Sequence, residues 1–149
     1  MTLPLRNLAP MLAVESVERA RDFYVNILGF TLLNQMEFHG KLGWCLVGAG
    51  GPSGGHDSPW KVELMFTRDE TPAGQEAAVA AARRGVILYF YPTEDITALH
   101  AKYASAGVKV SPLRVTFYEM KEFTIEDPHG YQVWFGQNTT DPPTPCAHE

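Results

Sequence analysis

The stretch that decides the fold is residues 119–136, EMKEFTIEDPHGYQVWFG. Its first part, up to Ile125, carries aromatic and β-branched residues that favour a strand. The tetrapeptide DPHG at residues 127–130 then predicts a turn, since Asp starts such turns, Pro presets φ at the second position and Gly closes them. Residues 131–135 resume with strand-forming side chains, so the stretch predicts two strands and the turn between them.

Alternation along the second of these strands determines which side chains share a face. It places Tyr131, Val133 and Phe135 on one face. Gln132 and Trp134 fall on the other. The functional interpretation therefore depends on what the side chain at position 134 can do.

Composition restricts the class of protein. The chain has 149 residues, 45% of them hydrophobic and 19% charged, which is typical of one compact globular protein. A net charge of −5 argues against a nucleic-acid partner. Two cysteines, Cys45 and Cys146, are too few for a disulfide scaffold, and we expect Cys45 to be a small buried apolar residue. We find no membrane-spanning run and no leader, so we expect a cytoplasmic protein.

The first half of the chain predicts a strand, a helix and three more strands. The helix follows a first strand at residues 8–14, begins after Ser16 and ends at Gly29. Two strands are expected at 30–39 and 42–47, and a flexible Gly-rich connector at 48–59. The inner face of the predicted helix consists of Val17, Ala20, Phe23, Tyr24 and Ile27.

The strand predicted at residues 60–66, WKVELMF, alternates strictly. One face should carry Trp60, Val62, Leu64 and Phe66. The other face should carry Lys61, Glu63 and Met65. Because Trp60 shares its face with apolar neighbours, it favours packing in the core or at its rim over ligand contact.

The second half repeats this order. Residues 67–84 read as a linker with a short helical piece, followed by a strand at 85–91. A helix capped by Asp95 should bury one face, and strands are expected at 108–115 and 117–125. The predicted inner face of this helix is Ile96, Leu99 and Tyr103, with Ala106 as a further candidate. Residues 138–149, which are rich in Pro, are expected to form a flexible tail.

Two helix-ending glycines, Gly29 and Gly107, are 107 − 29 = 78 positions apart, about half the chain. This spacing indicates an internal duplication. We therefore expect one domain, residues 1–137, made of two modules at about 5–66 and 85–136 with a linker at 67–84.

Two motifs resemble one family. LAVESVERARDFYVNILGF, residues 12–30, and FTIEDPHGYQVWFGQ, residues 123–137, resemble the opening and closing patterns of the vicinal oxygen chelate superfamily. That superfamily includes glyoxalase I, extradiol dioxygenases, fosfomycin-resistance enzymes and bleomycin-resistance proteins. The resemblance implies an α+β fold of two tandem βαβββ modules, which form a curved mixed sheet around a cleft with the helices outside. It also implies a homodimer.

In metal-dependent members of this superfamily, the first strand of a module supplies His or Gln and the fourth supplies Glu. The resemblance places these positions at Ala9 and Glu63 in the first module, and at one of residues 85–87 and Trp134 in the second. Only Glu63 can bind a metal, and at least three converging donors are needed. We therefore expect no cofactor and a relationship closest to the metal-free, bleomycin-resistance-like members.

Without a metal, the resemblance points to non-covalent binding of a small aromatic or cationic molecule between the modules, with drug sequestration as one role. Aromatic side chains would form the walls of such a site. Glu63 would pair with a donor on the ligand, or form a salt bridge with Lys61 instead. The predicted ligand-binding residues are Trp44, Glu63, Tyr89, Tyr91, Phe117, Tyr118 and Trp134.

Two other classes of function stay open from the sequence. A site rearranged around His39 and Glu63 could hold a divalent metal ion, which would make the protein a lyase, an isomerase or a dioxygenase. Alternatively, the protein could have a structural role and no ligand. The sequence leaves open the identity of any ligand, the occurrence of catalysis and the mode of dimerisation. It also leaves open whether residues 48–59 or 138–149 cover the cleft.

Overall fold

The chain forms two compact units, Met1–Gln75 and Glu76–Glu149. The computed structural model describes residues 2–5, 7–52 and 60–145. Each unit contains one four-stranded mixed sheet, with its first strand parallel to its fourth and the other neighbours antiparallel. The predicted α+β class and the βαβββ order of both halves are thereby confirmed. No helix in the described part of the chain is long and apolar enough to cross a membrane.

The N-terminal unit has the sheet order β1-β4-β3-β2. Its elements are β1 (Met11–Val14), α1 (Val17–Asp22), a π-helical turn (Phe23–Ile27), β2 (Thr31–Phe38), β3 (Lys41–Pro52) and β4 (Trp60–Arg68). The C-terminal unit has the matching order β5-β8-β7-β6. Its elements are α2 (Glu76–Arg84), β5 (Ile87–Phe90), α3 (Ile96–Ser105), β6 (Arg114–Val115), β7 (Met120–Glu126) and β8 (Gln132–Asn138).

The first helix begins as predicted but changes pitch before it ends. The Ser16 hydroxyl accepts a hydrogen bond from the Arg19 backbone N–H at 3.1 Å. In the π-helical turn, the Leu28 N–H donates to the Phe23 carbonyl at 3.0 Å, five residues back. This wider turn shifts the buried face by one residue. Leu28 is 7% exposed, whereas Ile27, expected on the inner face, is 36% exposed.

The core of the N-terminal unit lies between its helix and one face of its sheet. Cys45 pairs with Phe66 and Val47 pairs with Leu64, and all four side chains are buried. The Tyr24 ring lies 4.8 Å from the Phe66 ring. Burial raises the pKa of the Cys45 thiol to about 11. This cysteine is therefore the buried apolar residue that the sequence predicts, and it stays protonated at neutral pH.

In the C-terminal unit, α3 covers the corresponding face of the second sheet. Its first turn is capped by Asp95, which accepts from the Thr97 N–H at 2.9 Å. Phe123 on β7 stacks on Phe135 on β8, with ring centroids 5.0 Å apart. The predicted inner residues Ile96, Leu99 and Tyr103 are buried, whereas the further candidate Ala106 is exposed at the end of the helix.

The turn at residues 127–130 fixes the register of β7 against β8. The Asp127 carboxylate accepts from the His129 N–H at 2.8 Å and from the Tyr131 N–H at 3.0 Å. The Asp127 N–H donates to the Tyr131 carbonyl at 2.9 Å. Gly130 has a φ of +93°, which glycine adopts without strain. Each residue of the DPHG motif except Pro128 thus has an observed role in closing the turn as predicted.

Two element boundaries differ from the sequence-based expectation. β3 extends to Pro52, so the connector expected at 48–59 begins as paired strand, and residues 53–59 lie outside the described ranges. β6 spans two residues instead of 108–115. Pro112 has no N–H to donate and interrupts the pairing with β7, which leaves Val110 in an isolated bridge.

The described part of the expected tail is held by hydrogen bonds. The Thr144 N–H donates to the Val115 carbonyl at 2.9 Å, and the Val115 N–H donates to the Thr144 hydroxyl at 2.8 Å. Lys121 forms an ion pair with Asp141 at 3.1 Å. The described part of the tail, which the sequence predicts to be flexible, thus forms hydrogen bonds to β6 and an ion pair to β7. Residues 146–149, including Cys146, lie outside the described part.

Candidate functional site

The two faces of the C-terminal sheet have different roles. Tyr103 of α3 lies 5.5 Å from Phe135 and 6.2 Å from Phe123, measured between ring centroids, so these rings define the helix side. The adjacent pair, Thr124 and Trp134, must face the opposite side because strand residues alternate. Trp134 therefore points away from α3, as its position in the strand predicts.

Tyr89 is the residue level with Trp134 on the neighbouring parallel strand. The two ring centroids are 6.5 Å apart. The Tyr89 hydroxyl lies over Gly136, where an added Cβ would come within 1.7 Å of it. Burial, and to a lesser degree the charge of Glu122, raises the pKa of Tyr89 to about 12. Tyr89 is thus a neutral phenol held in the space that a glycine leaves open.

Glu122 of β7 is level with Gly136 and is only 4% exposed. The Tyr118 hydroxyl donates a hydrogen bond to its Oε1. This bond, more than burial, raises the pKa of Tyr118. Arg114 is the β6 residue level with Glu122, but no ion pair joins their side chains among the residues described. A buried carboxylate therefore lies next to two tyrosines without a cation bound to it.

A cavity of about 480 Å³ opens on this part of the unit. Its volume is in the range of small-molecule sites. Trp134 lines the cavity, and its indole Nε1 is buried with no hydrogen-bond acceptor within the described ranges. A buried indole N–H usually has an acceptor. The polar and aromatic residues that line the cavity are Ser111, Arg114, Tyr118, Glu122, Phe123, Thr124, Trp134 and Thr144.

These groups can bind a molecule but offer little for covalent chemistry. Trp134 supplies a flat apolar surface and one N–H donor. Glu122 supplies an acceptor, and Tyr118 a hydroxyl. The arrangement fits a flat ligand held by ring contact and a few directed hydrogen bonds.

Two of the aromatic residues predicted for this site lie at its outside. Tyr91 is 75% exposed, with its ring 5.1 Å from that of Tyr89. Phe117 is 86% exposed and contacts the Tyr118 ring at 5.0 Å. Residues 117–119 form a turn between β6 and β7, where a strand was expected. Phe117 therefore does not line the cavity, whereas Tyr118 does.

The remaining predicted residues belong to the N-terminal unit. Trp44 is half-buried and pairs with Thr67, on the sheet face opposite the buried Cys45. Glu63 accepts a hydrogen bond from the Asn7 side-chain amide at 2.6 Å. This amide is the observed partner of Glu63 in place of the expected Lys61 salt bridge. Trp60 is half-buried, and its ring lies against Gly48, the residue level with Glu63.

The first-strand positions can be compared through the register of each sheet. In the N-terminal unit Met11 is level with Met65, and two residues further back Ala9 falls level with Glu63. In the C-terminal unit the residue level with Trp134 is Tyr89. The counterpart of Ala9 is therefore Tyr89, and the expectation that it lies among residues 85–87 is wrong. The strand begins later than the sequence indicates.

The alternative metal pair, His39 and Glu63, is separated by the register of its sheet. Glu63 is level with Gly48, which pairs with Thr31 on β2, whereas His39 lies in the turn after β2, eight residues beyond Thr31. At the rise of a strand this is roughly 25 Å. The two side chains therefore cannot chelate one ion within this unit. Across the described residues, no group of three or more His, Cys, Asp or Glu side chains could hold a metal.

Sequence analysis missed Glu122, Arg114 and Thr124. For Glu122 and Thr124 a signal was available. The DPHG turn sets the register, and alternation back from it puts both residues on the side of Trp134. Arg114 could not be placed in this way, because Pro112 interrupts the strand before it.

Two βαβββ units, each with a parallel first and fourth strand, define the class of protein. The family model for the Glyoxalase/Bleomycin resistance protein/Dioxygenase superfamily matches residues 8–135. The chain belongs to this superfamily. The search of curated proteins gave no match.

Several solved structures share the fold. TioX from Micromonospora sp. ML1 is 19% identical with a TM-score of 0.66, over 88% of this chain and 97% of that one. A glyoxalase-related enzyme from Clostridium phytofermentans is 16% identical with a TM-score of 0.67, over 91% and 97%. TnmS3, an antibiotic binding protein from Streptomyces sp. CB03234, is 24% identical with a TM-score of 0.58, over 89% and 97%. At these identities the likeness concerns the fold alone.

Proposed function

We propose that this protein binds a small, flat aromatic molecule in the cavity of its C-terminal unit, without a metal ion and without covalent chemistry. Its role would be to sequester that molecule in the cytoplasm, and it would act as a homodimer. One structural neighbour, TnmS3, is described as an antibiotic binding protein, which is compatible with such a role.

The observation that carries the proposal is the position of Trp134. Its side chain lies on the sheet face away from α3 and lines a cavity of about 480 Å³. Its buried N–H has no acceptor among the described residues. A ligand with an acceptor at the edge of a flat ring would satisfy that N–H while covering the indole face.

The donor set supports binding without a metal. Tyr89 and Trp134 are level with each other where metal-dependent relatives would carry His and Glu. Neither an indole nor a neutral phenol is a usual ligand for a divalent ion. In the N-terminal unit, Glu63 accepts a hydrogen bond from the Asn7 amide, and Ala9 has no donor atom to offer a metal.

The proposal can be tested with Trp134→Phe, which keeps a ring and removes the N–H. We expect the affinity for naphthylmethanol, a neutral flat probe, to fall about three- to tenfold, the value of one hydrogen bond. Phe117→Leu is the matched control, since this exposed ring does not line the cavity, and it should change affinity less than twofold. Calorimetric titration measures both. Unchanged affinity in Trp134→Phe, or no binding by the unmodified protein, would contradict the proposal.

Metal content separates this proposal from the metal-dependent alternative. Protein purified without chelator should contain far less than one equivalent of any divalent metal by elemental analysis. About one equivalent that disappears in Glu63→Ala would instead favour an enzyme with a rearranged site.

A further inference from the structure

Glu122 is the least expected group in the cavity of the C-terminal unit. Its side chain is 4% exposed, yet it lines the cavity. Within the described ranges its hydrogen-bond partner is the Tyr118 hydroxyl, which reaches Oε1. A carboxylate has about four acceptor positions on two oxygens. Oε2 therefore has no protein donor in this part of the chain.

The charged groups around Glu122 do not neutralise it. Lys121, the preceding residue, is paired with Asp141 at 3.1 Å. Arg114, level with Glu122 on β6, is exposed and forms no ion pair with it among the residues described. Tyr118 and Tyr89 are phenols that are neutral at physiological pH, and the pKa of each is raised further. A buried charge without a cation is costly, so this arrangement suits an incoming positive group.

The position of Glu122 relative to Trp134 limits the shape of that group. Glu122 pairs with Gly136 and Thr124 pairs with Trp134, so Glu122 and Trp134 are diagonal neighbours on one sheet face. Such neighbours lie about 7 Å apart. A ligand that places its ring on the indole and its positive group on the carboxylate would therefore have one or two bonds between the ring and that group.

We propose that Glu122 makes the site selective for arylalkylamines in their protonated form, with the ammonium group on the free carboxylate oxygen and the ring against Trp134. This inference rests on the proposed function and narrows its ligand class. It assigns Glu122 as a specificity-determining residue.

The test uses three probes with one ring system: naphthylmethylamine as the cation, naphthylmethanol as the neutral isostere and naphthoate as the anion. Calorimetric titration of the full chain at pH 7 should give at least a tenfold preference for the cation over the neutral probe, and the weakest binding for the anion. Glu122→Gln keeps an acceptor for Tyr118 and removes the charge. It should reduce the preference for the cation over the neutral probe to below about twofold.

Glu94→Gln is the matched control, because it removes one negative charge from an exposed position in the same unit. It should retain the full preference for the cation. Equal binding of cation and neutral probe by the unmodified protein would overturn the role of Glu122 and leave aromatic binding intact. Equal loss of the preference for the cation in Glu122→Gln and Glu94→Gln would also overturn the role of Glu122 and leave aromatic binding intact. If none of the three probes binds, the proposed function fails as well. The comparison on the unmodified protein decides the matter even if Glu122→Gln does not fold.

Discussion

The two units of this protein use one strand plan to place different chemistry at the same positions. In the N-terminal unit, Ala9 and Glu63 are level with each other, and the carboxylate is held by an amide near the surface. In the C-terminal unit, Tyr89 and Trp134 occupy the matching positions. There a carboxylate instead comes from the neighbouring strand, at Glu122, and it is buried.

This difference shows that the backbone plan alone does not determine the chemistry of a βαβββ unit. Where a superfamily enzyme would need converging donors, one unit supplies a single carboxylate and the other supplies two rings. The rings provide contact area and directed hydrogen bonding. The comparison therefore favours the C-terminal unit as the place where a ligand is recognised.

The largest expected loss of stability tests which face of the C-terminal sheet is packed in the core, on which this comparison depends. Phe123 is fully buried and stacks on Phe135 at 5.0 Å. Phe123→Ala should lower the free energy of unfolding by about 3–5 kcal/mol, because it opens a cavity in the core. Phe117→Ala, at an 86% exposed ring, should stay within about 0.5 kcal/mol. Urea denaturation measures both. A small effect at Phe123 would mean that the core lies on the other face, together with Trp134.

A smaller loss of stability is expected at Gly136, which has no side chain and so leaves room for the Tyr89 hydroxyl. An added methyl group would lie 1.7 Å from the Tyr89 oxygen and 2.4 Å from Cζ, so the ring must move. Gly136→Ala should cost about 1–3 kcal/mol of stability, measured by thermal unfolding. Tyr89→Leu added to this variant should recover most of that loss, a coupling that a double-mutant cycle isolates. Additive costs would show that the two residues do not touch.

The smallest effect is expected in the N-terminal unit. The hydrogen bond from Asn7 to Glu63 is 2.6 Å long but exposed. Asn7→Ala should therefore change the free energy of unfolding by less than about 1 kcal/mol. Glu63→Gln, which keeps an acceptor, should be close to neutral in the same denaturation experiment. A loss above about 2 kcal/mol in Asn7→Ala would show that Glu63 resembles Glu122, and the contrast between the units would disappear.

Much of the fold could be predicted because local signals agree with it. Ser16 and Asp95 cap the helices where expected. The DPHG turn closes as its residues indicate. Periodicity failed at the end of α1, because a π-helical turn there places Leu28 rather than Ile27 in the core. A change of helical pitch has no marker in residue type, so regular spacing could not reveal it.

The site was predicted less completely than the fold. Trp134, Tyr89 and Tyr118 were identified from strand alternation and the family pattern, and all three lie near Glu122. Glu122 was missed because the family pattern directs attention to the fourth strand, whereas this carboxylate comes from the third. Phe117 was misplaced because strand-forming residues here occupy a turn, in which Glu119 has a φ of +63°.

The bonds between Thr144 and Val115 have a consequence for handling the protein. β6 is the outer strand of its sheet, and these two bonds occupy backbone groups that would otherwise face solvent. Open strand edges are sites of intermolecular pairing and aggregation. A shortened version ending before Thr144 would uncover this edge and remove part of the cavity wall at once. Shortened versions of the chain should therefore retain Thr144.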